Sequence, residues 1–79
     1  MNEPAYVYSF RKNENEEVRF VFKVYKGALY FDIRIFFAGR DGQFFPTKKG
    51  VTLLAGHLGP FVNGIEKLSE LLGVKEGVS

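Results

Sequence analysis

The sequence predicts an α+β domain: a four-stranded antiparallel sheet followed by one C-terminal helix. Three observations carry that expectation. Up to Leu54 the apolar residues recur at every second position, in runs separated by turn-forming residues. From Leu58 the apolar period lengthens to that of a helix, and the 79 residues leave room for one core only. The chain therefore reads as a single domain over 1–79, with short flexible ends expected at 1–4 and 74–79.

The first extended run is Ala5 to Phe10, with Tyr6, Tyr8 and Phe10 alternating against Val7 and Ser9, and a polar loop is expected from Lys12 to Glu17. From Val18 the alternation is strict. Val18, Phe20, Phe22 and Val24 face one way, and Arg19, Val21, Lys23 and Tyr25 the other. Lys26-Gly27 is a turn. The run Ala28 to Phe37 then repeats the pattern, with Leu29, Phe31, Ile33, Ile35 and Phe37 on one face and Tyr30, Asp32, Arg34 and Phe36 on the other. A two-residue loop pairs Tyr25 with Ala28 and brings the two apolar faces together, which supports that register.

The turn Arg40-Asp41-Gly42 leads to a fourth extended segment, Gln43 to Leu54, where Pro46 and Gly50 predict a bend, a bulge or an edge position. In the tail, Leu58, Phe61, Val62, Ile65, Leu68 and Leu72 recur at helical spacing. Pro60 suits a first helical turn and Gly73 a C-terminal stop. Gly64, unfavourable in a helix by about 1 kcal/mol relative to alanine, suggests close packing at that point.

The predicted sheet holds most of the positive charge. From Val18 to Gly50, Arg19, Lys23, Lys26, Arg34, Arg40, Lys48 and Lys49 stand against Asp32 and Asp41, a balance of 7 − 2 = +5, while the rest of the chain sums to −3. The register sets Arg19 opposite Arg34, a juxtaposition of like charges that is unfavourable by about 0.2 to 1 kcal/mol and that either a bound anion or splaying into solvent would relieve. Cations interleaved with Tyr25 and Tyr30 match what unpaired nucleic acid requires, since cations neutralise phosphates and rings stack on bases. Strand propensity and ordinary surface charge are the competing explanation.

Several classes are disfavoured. There is no cysteine, and His57 is the single histidine, so neither disulfides nor a structural zinc is expected. No apolar run reaches the roughly 18 residues of a membrane span, and the start Met1-Asn2-Glu3-Pro4 lacks signal-peptide character, so an intracellular location is expected. No nucleophile and base pair, paired acids or phosphate loop is evident, so no enzymatic activity and no cofactor are expected. Asp32 reads as an internal partner for Lys23 or another base. A chain this short buries only about 60% of its unfolded surface, so a homodimer or larger assembly is expected.

The segment Phe20 to Leu53 resembles the conserved domain of the positive cofactor 4 family of transcriptional coactivators, over half to two thirds of the chain. The matching pieces are Lys23-Val24-Tyr25-Lys26-Gly27, Phe31-Asp32-Ile33-Arg34 and Pro46-Thr47-Lys48-Lys49-Gly50-Val51 before a final helix. The resemblance implies a homodimer whose curved sheets form basic grooves for single-stranded DNA. It also implies binding roles for Lys23, Tyr25, Lys26, Arg34, Phe37, Lys48 and Lys49. Ala28, Phe45 and Glu17 stand where the family tends to carry basic residues, which implies weaker or more stacking-dependent binding. Alternation places Phe36, not Phe37, on the basic face, so either a bulge turns Phe37 outward or Phe36 is the stacking ring.

The expected function is non-sequence-specific binding of single-stranded DNA, without chemistry, in transcription or in replication and repair. The expected binding face is Arg19, Lys23, Tyr25, Lys26, Tyr30, Arg34, Phe36, Phe37, Lys48 and Lys49. The alternatives are a protein interaction module that contacts transcription or replication proteins, and single-stranded RNA binding, because nothing in the residues specifies a 2′-hydroxyl contact.

Overall fold

The computed structural model describes residues 5–73; the expected flexible ends, 1–4 and 74–79, lie outside the described residues. Strands β1 (Ala5–Asn13), β2 (Glu16–Tyr25), β3 (Ala28–Ala38) and β4 (Phe44–Leu54) form one antiparallel sheet in sequential order. A 3₁₀ turn (Ala55–His57) leads into helix α1 (Leu58–Leu72). No helix among the described residues is long and apolar enough to cross a membrane.

The central hairpin has the expected register. Tyr25 pairs with Ala28, Val24 with Leu29, Phe22 with Phe31 and Phe20 with Ile33, and the ladder is unbroken back to Glu16 and Phe37. Lys26 and Gly27 both have positive φ, 50° and 79°. That conformation makes the two-residue turn match the twist of the strands it joins.

The first hairpin is tighter than expected. The polar stretch Lys12 to Glu17 is mostly strand, with only Glu14 and Asn15 at the tip. Local polar contacts account for this: Lys12 Nζ and Asn13 Nδ2 donate to Glu16 Oε1 at 3.0 and 2.8 Å, and Asn15 N donates to Asn13 Oδ1 at 2.8 Å. A bulge between Tyr6 and Tyr8 also breaks the alternation of β1. It separates the expected row, so that Tyr6 meets Phe36 on the basic face while Tyr8 and Phe10 meet Phe20 on the apolar face.

Strand β4 is an edge strand and is bulged. Arg34 pairs with Gly50 and Phe36 with Pro46, so Thr47, Lys48 and Lys49 stand opposite Ile35 alone. Gly50 is required here by closeness, since a Cβ would lie 2.7 Å from the Ile33 carbonyl oxygen and 2.8 Å from Arg34 Cα. Thr47 secures the bulge by donating its hydroxyl to the Ile35 carbonyl (2.7 Å) and accepting the Lys49 N–H (3.1 Å).

Helix α1 ends as expected, with Gly73 left-handed and its N–H donating to the Ser69 and Glu70 carbonyls. His57 is the N-cap residue, with no side-chain capping bond. Phe61 packs edge-on to Phe31 at 5.5 Å, but no residue of the helix is buried. The close packing expected at Gly64 is absent among the described residues, where a Cβ would meet nothing within 4 Å.

Phe31 on the apolar face is buried as alternation predicts, but burial elsewhere departs from it. Val21, Phe36 and Asp32, on the face expected to be open, are buried, whereas Phe22, Val24, Leu29 and Phe37 on the apolar face are 41–48% exposed. The cause is side-chain length. Arg19 and Tyr6 lie against Phe36 and Arg34 against Asp32 on the basic face, while a single helix covers only part of the other. Between sheet and helix an apolar cavity of about 400 Å³, lined in part by Phe20, Phe22, Ile33, Leu58 and Val62, remains open.

Candidate nucleic-acid interface

The basic face is organised around two guanidinium groups. Arg19 and Arg34 do pair directly across β2 and β3, and their like charges are reconciled without a bound anion. Each binds a carboxylate two residues along its own strand: Arg19 Nε to Glu17 Oε1 at 2.9 Å, and Arg34 to Asp32 at 2.9 Å. A second spacing pattern, Glu-x-Arg on one strand beside Asp-x-Arg on the next, is what the two-residue strand period permits on a shared face.

Arg19 sits in an aromatic box. Its guanidinium lies 4.5 Å from the Phe36 ring centroid, 5.1 Å from Tyr6 and 5.5 Å from Phe44, rings contributed by three different strands. Burial disfavours its charge, yet the bonds with Glu17 and Tyr6 outweigh that and hold its pKa above the ordinary value. Arg19 thus fastens β1, β3 and β4 over β2, and Phe36, 6% exposed beneath it, has no open ring face. Tyr6 and Phe44 have structural roles here that their sequence positions did not signal, because the β1 bulge decides where Tyr6 points.

Arg34 is bonded along its edge. Nε and Nη2 donate to Asp32 Oδ2 and Oδ1 at 3.1 and 2.9 Å, Nη2 also donates to Thr52 Oγ1 at 3.0 Å, and Nη1 donates to the Thr47 carbonyl at 2.9 Å. Thr52 in turn donates to Asp32 Oδ1 at 2.8 Å. The expected internal partner for Asp32 is therefore Arg34 and not Lys23. Through Thr47 the same guanidinium braces the bulge that carries Lys48 and Lys49.

The remaining expected residues fall into two groups. At the β2–β3 turn, the Tyr25 and Tyr30 rings meet edge-on at 6.4 Å, and Lys26 Nζ lies 5.5 Å from the Tyr25 centroid. Lys23 and Thr52 join these tyrosines around a shallow depression. At the β4 edge, Lys48 and Lys49 are exposed on the bulge. Among the described residues no carboxylate lies within ion-pair distance of Lys23, Lys26, Arg40, Lys48 or Lys49. Phe37 is not brought to this face. The unbroken β2–β3 ladder keeps it with Ile35 on the apolar side, paired with Phe45.

No cluster of metal-ligating side chains occurs among the described residues. The arrangement can bind anions and flat rings: ammonium groups with no carboxylate at ion-pair distance among the described residues flank exposed Tyr25 and half-buried Tyr30, on a face whose arginines are internally neutralised.

An open four-stranded sheet backed by one C-terminal helix, with cations and tyrosines on the uncovered face, defines a small α+β binding domain. The model of the family described as Transcriptional Coactivator p15 (PC4) matches residues 12–62, and the chain belongs to that family. The match spans every residue of the expected binding face. Crystal structures of a PC4 homologue from Burkholderia pseudomallei superpose with TM-scores of 0.80 and 0.79 at 25% identity, covering 85% of this chain and 98% and 90% of theirs. A bacteriophage T5 homologue of the eukaryotic coactivator PC4, implicated in recombination-dependent DNA replication, shares the fold with a TM-score of 0.52 at 21% identity, over 94% of this chain and 98% of its own. No functionally curated protein matches the sequence.

Proposed function

We propose that this protein binds single-stranded DNA without sequence specificity, as a homodimer, and acts in transcription or in DNA replication and repair by binding alone. The observation that carries this reading is the set of ammonium groups, without a carboxylate at ion-pair distance among the described residues, around Tyr25 and Tyr30 and on the β4 bulge further along the sheet. Lys23, Lys26, Lys48 and Lys49 contact phosphates, and Tyr25 and Tyr30 stack on bases. Phosphate and stacking contacts carry little base information, so sequence preference is weak. A duplex hides its base faces and cannot use the tyrosines.

The opposite face supports the dimer. Val62, Ile65, Leu68 and Leu72 on the helix and Phe22, Val24 and Leu29 on the sheet are all more than 40% exposed in one copy. Contiguous apolar surface of this kind marks an association site, and a second copy has the same unsatisfied face to bury.

Fluorescence anisotropy with a labelled oligothymidine of about 20 nucleotides and a matched duplex, at several salt concentrations, tests the binding. With four phosphate contacts the logarithm of affinity falls against the logarithm of salt with a slope near −3. The double variant Lys48→Ala, Lys49→Ala flattens that slope by about 1.4. Absence of strand binding at low salt refutes the reading and points to a protein partner for the same face.

A further inference from the structure

The resemblance to the family implies a binding role for Arg34, and its hydrogen bonds argue against a phosphate contact as that role. A guanidinium donates only in its own plane and carries five N–H groups. Bonds to Asp32 (two), Thr52 and the Thr47 carbonyl occupy four of them. The fork that would grip a phosphate is closed, and the Asp32 carboxylate at 2.9 Å cancels the charge that would attract one. What the bonds leave available is the flat face of the group.

That face lies in a concavity. The Arg34 side chain is 19% exposed and lines a depression of about 340 Å³ with Tyr6, Val21, Lys23, Phe36 and Pro46. This volume is at the small end of the range of about 300–1,000 Å³ for small-ligand sites, and suits a single base. Pro46 supplies exposed apolar surface at its edge, above a floor of buried Val21, Asp32 and Phe36, and Lys23, with no carboxylate at ion-pair distance among the described residues, can hold the phosphate that follows the base. Arg34 is also pinned by both neighbouring strand positions, Asp32 and Thr52, so its plane is already ordered before any ligand arrives. Bases stack on guanidinium planes as they do on aromatic rings.

We infer that the Arg34 guanidinium is a stacking platform for one unpaired base, seated in the depression between Tyr6, Lys23 and Pro46. This inference rests on the single-strand reading and names a base subsite within it. Arg34 contributes a surface, Asp32 and Thr52 hold that surface level, and Lys23 supplies the charge.

The test uses the intact wild-type protein and Arg34→Lys, with two labelled probes of about 20 nucleotides: oligodeoxyadenosine, and a strand of abasic residues with the same backbone. Arg34→Lys keeps the charge and loses the plane. It is expected to weaken oligodeoxyadenosine binding by roughly fivefold or more beyond its effect on the abasic strand, because any loosening of the Thr47 brace acts on both probes alike. Equal losses on both probes, or no loss, overturn the inference. A second measurement needs no variant: the Arg34 Nε–H proton resonance of wild type moves upfield under the ring current of a stacked adenine and does not do so with the abasic strand. A downfield or absent shift on saturation with oligodeoxyadenosine overturns the platform while leaving the single-strand reading intact. Failure of wild type to bind either probe removes both.

Discussion

Replacing Gly50 by alanine tests how the bulge in β4 is built. The added methyl carbon would stand 2.7 Å from the Ile33 carbonyl oxygen, 2.8 Å from Arg34 Cα and 2.9 Å from Arg34 Cβ, where ordinary contact begins near 3.4 Å. Two of these three atoms are backbone of the neighbouring strand, so no rotamer change relieves the contact. Strands β3 and β4 must separate by about half an ångström, a strain typical of overpacking that costs about 1–3 kcal/mol. In an unstrained position the same substitution would stabilise by about 0.4–1 kcal/mol through the unfolded chain, so the sign of the effect discriminates. Urea unfolding at fixed protein concentration is the assay. With a slope near 1 kcal/mol per molar for a chain this small, the midpoint should fall by about 1–3 M. The separation also pulls Thr47 away from Arg34, so strand affinity should weaken with the midpoint. An unchanged or higher midpoint would refute the packing argument.

Phe36→Ala should lower stability by about 3 kcal/mol in thermal or urea unfolding, because the ring is buried beneath Arg19; a stable variant defective only in binding would return Phe36 to the stacking role. Leu68→Glu should give a monomer by light scattering where wild type gives a dimer, with the helix retained by circular dichroism, since Leu68 is exposed in the single chain. Glu16 accepts bonds from Asn13 and Lys12 that lower its pKa below the ordinary carboxylate value. Its folded pKa therefore lies below its unfolded one, so its contribution is complete above the unfolded pKa and is lost as pH falls through the folded value. Glu16→Gln should accordingly flatten the acid limb of stability below about pH 4, and carbon NMR titration of wild type should place the Glu16 midpoint below that of a free glutamate.

The central hairpin and the helix were legible because both depend on local chemistry. A period of two from Val18 to Phe37, interrupted by Lys26-Gly27, allows one register that keeps the apolar faces together, and that register is the one observed. A period near 3.6 from Leu58, closed by Gly73, specifies the helix in the same way. Alternation and the same register likewise set Lys23 beside Tyr25 and opposite Tyr30, and the turn places Lys26 next to them. Tertiary structure decided the rest. The bulge at Val7 that sends Tyr6 to the basic face, and the one at Thr47–Lys49 that offers two lysines at the sheet edge, arise from pairing between strands. Whether a cation stays free depends on which groups surround it in space. Lys23 and Arg34 share a face and a sign, but Asp32, Thr47 and Thr52 converge on Arg34 and leave Lys23 open. The order of residues along the chain determines the faces of the sheet; three-dimensional hydrogen bonding determines which side chains on them remain available to bind, because a donor already satisfied within the protein gains little by turning to a ligand.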